Sequence, residues 1–172
     1  MLHIYFNLHL AKAGRVKPDL RDLNILPHHQ IHSFTKLASG ILLLQTPQWR
    51  VIRAVDADHP AFYRVIWNDH VSEWTDLSTA DRAMMMGVVE AVEGALRAHL
   101  QPTKVNLASL GNVVPHLHWH VIARFDWDAR WPAPVWAPRQ REVVDAERRL
   151  VMPLAQLDQE VIRALQPGTR GN

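Results

Sequence analysis

The stretch PHLHWHVI, residues 115–122, sets histidines at every second position, His116, His118 and His120, with Leu117, Trp119, Val121 and Ile122 around them. In an extended chain successive side chains point to opposite faces, so the three imidazoles share one face and the apolar alternates share the other. A helix would scatter the same three around its circumference. A strand from His116 to Arg124 is therefore expected, with neighbouring rings roughly 6 to 7 Å apart because each residue rises about 3.3 Å. One face then belongs to a core and the other is left for chemistry.

That chemistry has two readings. Neutral imidazole is the commonest zinc ligand, so the face could hold a metal. It is also a nucleophile and a base toward phosphorus, and its protonated form donates to anionic oxygen. With an ordinary pKa of about 6.5, both forms are within reach at neutral pH. The bland alternative is a polar face without function, which fits a lone histidine better than three in strict alternation.

Working outward, ILLLQ (41–45) and WRVIRAV (49–55) flank a turn at Thr46-Pro47-Gln48 and read as a hairpin. Asp56 to Pro60 reads as a loop, and AFYRVIW (61–67), rich in aromatic and β-branched residues, as the next strand. Leu77 to Leu100 reads as the one long helix. Ser78 or Thr79 can cap it, Asp81 suits its first turn, and Met85, Val88, Val89, Val92 and Leu96 recur at three and four as a core stripe. The Met84-Met85-Met86 run fits packing better than a cofactor surface. Pro102 ends the helix, KVNLASL (104–110) reads as a strand, and Gly111-Asn112 breaks it.

Beyond the histidines, FDWDARWPAPVWAP (125–138) places Trp127, Trp131 and Trp136 among prolines, an irregular arm expected to pack by its indoles. Residues 139–165 mix both charges at helical spacing, the pattern of a solvated helix that Pro153 should divide in two. Residues 1–40 carry no sustained period, and the His28, His29 and His32 cluster there has no recognisable scaffold and reads as surface histidines. The organisation expected is an extension at 1–40, a domain at 41–136 and a helical tail at 137–172.

The 172 residues suffice for one domain, and 48% hydrophobic with 21% charged residues describes a globular chain. A net charge of +2 with scattered basic residues offers no stripe for nucleic acid. Cysteine is absent, which removes disulfides and thiolate chemistry. No run approaches the ~20 apolar residues that span a bilayer. The opening MLHIYFNLHLAKAG lacks a basic start and is interrupted by His3, Asn7 and His9, so it is not read as a signal. A soluble, cytoplasmic protein without nucleic-acid or membrane partners is expected.

NLASLGNVVPHLHWHVIAR (106–124) resembles the histidine triad family of nucleotide hydrolases and transferases, whose signature is His-φ-His-φ-His-φ-φ with φ apolar. His116 to Ile122 match it completely, and the family's preceding Asn and Gly-polar pair are Asn106 and Gly111-Asn112. VIWNDHV (65–71) resembles the family stretch Val-Ile-Pro-Lys-x-His, with His70 in the terminal position. The resemblance covers about residues 41 to 136. It implies an α+β fold, a histidine-triad-like antiparallel sheet of about five strands with one long helix, here followed by a C-terminal helical extension. It also implies a homodimer that completes the sheet.

The activity implied is transfer at the α-phosphorus of a nucleotide conjugate. His118 would attack phosphorus to give a nucleotidyl-histidine that water then cleaves. His116 would orient His118 and fix its tautomer, and His120 would donate to a phosphate oxygen or the departing group. Asn106 and Asn112 resemble positions that touch phosphate or leaving group, and Asp56, by position, the acidic residue that meets ribose hydroxyls. No metal or other cofactor is implied.

The chain also departs from the pattern. Phe62 stands where many members carry a fourth histidine, and His70 reads as a helix-entry or surface residue rather than its replacement. Val113 stands where the family often has Ser or Thr, Pro115 replaces a basic or polar residue, and Trp67-Asn68 replaces Pro-Lys. Two functions from different classes follow. One is a hydrolase of phosphoramidates, dinucleoside polyphosphates or nucleotide sugars, which all present an α-phosphorus. The other, favoured by Phe62 and Val113, is a non-catalytic nucleotide-binding or zinc-binding module.

Overall fold

The computed structural model of the chain describes residues 40–166. The expectations placed on residues 1–39, including the His28, His29 and His32 cluster, lie outside the described residues. These build one five-stranded antiparallel sheet from β1 (Ile41–Gln45), β2 (Trp49–Arg53), β3 (Phe62–Trp67), β4 (Lys104–Ser109) and β5 (His118–Arg124), in the spatial order β1-β2-β3-β5-β4. Two α-helices accompany it, α1 (Thr79–Leu100) and α2 (Leu154–Leu165). The class is α+β, as the resemblance implies.

Local chemistry explains the boundaries. Thr46 Oγ1 accepts the Trp49 N–H at 3.1 Å and closes the β1–β2 turn. Gly40 opens β1 because a Cβ there would lie 2.5 Å from the Arg53 carbonyl oxygen. Helix α1 starts two residues later than expected, since Ser78 is its N-cap and accepts the Asp81 N–H at 3.1 Å. It ends where Gln101 turns left-handed at φ 48°, returning its N–H to the Arg97 carbonyl ahead of Pro102.

Alternation gives the sheet one mainly apolar face toward α1 and a second on which Arg64, His118 and His120 stand among Ile52, Phe62, Ile66 and Ile122. Val51, Tyr63, Val65, Val121 and Ala123 meet the expected α1 stripe, Met85, Val88, Val89, Val92 and Leu96, in a single cluster. Burying each large apolar side chain contributes about 1.5–3 kcal/mol, and truncating Leu96 to Ala would cost about 2–5 kcal/mol.

The tail differs from the solvated pair of helices expected. Leu154, Leu157 and Val161 of α2 enter the same core, and buried Asp158 accepts from Arg53 Nε at 2.9 Å and Tyr63 Oη at 2.8 Å. Residues 139–150 are irregular apart from a 3₁₀ turn at Ala146–Arg149. Their arginines act as tethers instead of lining a helix: Arg139 pairs with Asp58, and Arg141 donates to the Trp131 carbonyl at 3.1 Å. Among the described residues no helix is long and apolar enough to cross a membrane.

Candidate active site

His118 and His120 point away from the core, and in the register of the sheet they face Ile66 and Arg64 of β3. Their ring centroids are 4.7 Å apart and tilted by 40°. This is closer than the strand rise alone suggests, because the two rings lean toward one another.

His116 departs from the expected strand. Its N–H donates to the Val114 carbonyl and the Leu117 N–H to the Val71 carbonyl, both at 2.8 Å, so the chain bends after Pro115 and joins the ladder only at His118. The ring of His116 consequently belongs to a different set of contacts. Nε2 lies 2.7 Å from the Trp67 carbonyl oxygen, and the ring stacks on His70 at 5.5 Å with the two Nδ1 atoms 3.2 Å apart.

Protonation follows from these partners. A carbonyl only accepts, so His116 Nε2 carries the hydrogen. Burial, together with the charges of Arg50, His70 and His118, pushes the His116 pKa down to about 4, against the carbonyl's opposing pull. Neutral His116 therefore accepts at Nδ1 from His70 Nδ1–H.

His118 Nδ1 donates in turn to the His116 backbone carbonyl at 2.7 Å, which leaves its lone pair on Nε2. Burial and the nearby Arg64 charge lower the His118 pKa, so that lone pair is available at neutral pH. His120 is pushed down to about 3 by burial, then by His118 and Arg64. Both of its ring nitrogens are buried and meet no hydrogen-bond partner among the described residues. Buried polar atoms in folded proteins are normally paired, so this ring is built to meet something that binds.

Two loops rim the histidines. Val114 packs on Ile52 and Ile66, and Val135 packs on Ala54, Phe62 and Ile122. The second loop is the tryptophan arm, which packs through its indoles as expected. Trp127 stacks on Phe125 at 4.7 Å, the Arg124 guanidinium lies 5.8 Å from the Trp131 ring, and half-exposed Trp136 meets His120 edge-on at 5.6 Å. At its base, fully buried Arg124 holds Asp128 through Nε at 2.7 Å and Nη2 at 3.1 Å, and donates to the Ala133 carbonyl at 2.9 Å.

The other expected site residues are spread around this centre. Asn106 lies on β4 across from Ile122, and its Oδ1 accepts from Arg124 Nη1 at 2.7 Å, which identifies the amide nitrogen as its remaining donor end. Asn112 is exposed on the loop ahead of β5. Asp56 shapes the β2–β3 loop: its Oδ1 accepts the N–H groups of Asp58 and His59 at 3.0 and 2.9 Å. Val113 is 71% exposed, so its side chain turns to solvent.

Three neighbours of the triad had not been singled out for it: Arg64, Arg50 and His70. The alternation of β3 could have placed Arg64 opposite apolar Tyr63 and Val65, but only the β3–β5 register sets it beside His120. His70, which ends the family-like stretch VIWNDH and reads as a helix-entry or surface residue, is exposed on a loop that brings its ring onto His116. Among the described residues no group of three or more His, Asp or Glu side chains is arranged to hold a metal ion.

A family model, the HIT domain, matches residues 36–127. Among solved structures, a histidine triad protein of Bradyrhizobium japonicum matches with a TM-score of 0.63 and 29% identity, over 77% of this chain and 95% of its own. One from Sinorhizobium meliloti gives 0.61 and 25% over 77% and 94%. One from Marinobacter aquaeolei, at 23% identity, shares the fold with a TM-score of 0.60 over 75% and 90%. No curated protein matches the chain.

Proposed function

Because this chain belongs to the histidine triad family, we propose that it is a hydrolase acting at the α-phosphorus of a nucleotide conjugate, a phosphoramidate or dinucleoside polyphosphate. The observation that carries the proposal is the pairing of His118 Nδ1 with the His116 carbonyl at 2.7 Å beside a buried His120 that lacks partners among the described residues. In this reading, Nε2 of His118 attacks phosphorus, the new N–P bond forms as the bond to the leaving group breaks, and the electron pair departs with that group, which takes a proton from solvent. Water then displaces His118 by breaking the N–P bond, releasing the nucleoside monophosphate and one proton to solvent and returning neutral imidazole. His120, neutral but still bearing one N–H, donates to a phosphoryl oxygen. The amide nitrogens of Asn106 and Asn112 supply further donors as negative charge develops. Asp56 takes the ribose hydroxyls from the β2–β3 loop.

Two copies of the chain would form the working unit, as the family resemblance implies, and the edge strand β4, which exposes Leu107, is the surface through which the sheet would be continued. Sedimentation should then give a dimer. The reaction itself is tested by incubating wild type and His118→Ala with adenosine phosphoramidate and with a dinucleoside polyphosphate. Wild type should release AMP and His118→Ala should not. Equal release by both would refute the proposal. The second reading, a module that binds nucleotide without turnover, draws on Phe62 in place of a fourth histidine, and it predicts binding with no release.

A further inference from the structure

We infer that Arg64 is a substrate-binding residue of this site, its guanidinium receiving the anionic oxygens of the phosphoryl group that His118 attacks. The inference rests on the reaction proposed above and deepens it by naming a cationic clamp that the triad signature does not contain.

Register is the first support. Arg64 is paired directly with His120 on the neighbouring strand and lies on the same face as both histidines. Residues directly opposite on one face have Cβ atoms about 4.5–5.5 Å apart, so the Arg64 side chain starts beside that of His120. A second support is how the group is held. Its guanidinium carbon lies 5.2 Å from the Phe62 ring centroid, and His120 lies 5.2 Å from the same ring. Phe62, at the position where a fourth histidine is often found, is thus a platform shared by the imidazole and the cation.

Electrostatics agree with the geometry. The Arg64 charge lowers both His118 and His120, while burial lowers Arg64 itself and Asp56 opposes that loss. A cation that adds to burial in keeping His118 neutral becomes, once an anionic phosphoryl group arrives, its counter-charge. Arginine suits this because its planar fork meets two phosphate oxygens at once. It also restores a donor where Val113, turned to solvent, offers none.

Full-length wild type, Arg64→Met and Arg64→Gln are titrated calorimetrically with two ligand pairs, AMP with adenosine and GMP with guanosine. Wild type should prefer the nucleotide of at least one pair. Arg64→Met should lose about tenfold in nucleotide affinity while nucleoside affinity holds. Arg64→Gln should behave alike, and decides the matter if the Met variant does not fold. A variant that keeps the wild-type preference for nucleotide, or loses nucleotide and nucleoside equally, overturns the assignment while leaving the histidine chemistry standing. Wild type that binds none of the four overturns the nucleotide reading and this assignment together.

Discussion

His118 donates its Nδ1 proton to the backbone carbonyl of His116 across 2.7 Å. The second histidine is thus oriented by the main chain of the first, while the ring of the first is occupied by Trp67 and His70. The three rings differ in their contacts because His116 lies in the bend after Pro115, whereas His118 and His120 stand on β5.

The pH dependence follows from the direction in which His118 shifts. Burial and Arg64 lower its pKa from the ordinary 6.5, and the proposed attack needs the deprotonated ring. The acid limb of kcat/KM should therefore lie below pH 6.5, with no loss between pH 7 and about 8. A limb at or above 6.5 in the free enzyme would contradict the assignment.

Stability should share part of this profile. His116 falls from 6.5 to about 4 on folding, so between those values the unfolded chain binds a proton that the folded one refuses. Its contribution is complete above pH 6.5 and is lost as the pH falls toward 4. Denaturant midpoints measured across that window should decline for wild type and decline less for His116→Phe.

His70 is tested through His116. Removing it in His70→Ala takes the hydrogen from His116 Nδ1, so the ring loses one of its two anchors. The expected result is a fall in kcat of about tenfold with KM little changed. His70→Asn, whose amide nitrogen can replace the Nδ1 donor, should recover much of it. Nitrogen-15 NMR should show the Nε2–H form of His116 retained in the Asn variant and mixed in the Ala variant.

Asp158 ties α2 to the sheet. Asp158→Ala would leave half-buried Arg53 and buried Tyr63 without their acceptor, and about 3 kcal/mol of stability should be lost in denaturant titrations. Wild-type stability in this variant would show that the tail does not contribute to the folded unit.

Much of this was legible because periodicity reports burial. The α1 stripe falls on the core where the pattern sets it, and the β5 alternation separates Val121 from the histidines, although His118 and His120 are themselves buried. What escaped was whatever depends on contacts distant in sequence. Arg64 meets His120 only through strand register, and His70 reaches His116 from a loop. In 139–165 the mixed charges imitate an exposed helix, yet Asp158 is buried by partners on β2 and β3, and Arg139 is held by Asp58 far upstream.

The central claim is that Nε2 of His118 attacks phosphorus, and mass spectrometry after an alkaline quench, which preserves the acid-labile N–P bond, tests it most directly. Wild type mixed with adenosine phosphoramidate and quenched within a turnover should gain one adenylyl group on the peptide that contains His118, and His118→Ala should gain none. Product released by wild type with no such adduct, or an adduct persisting in His118→Ala, would contradict the account.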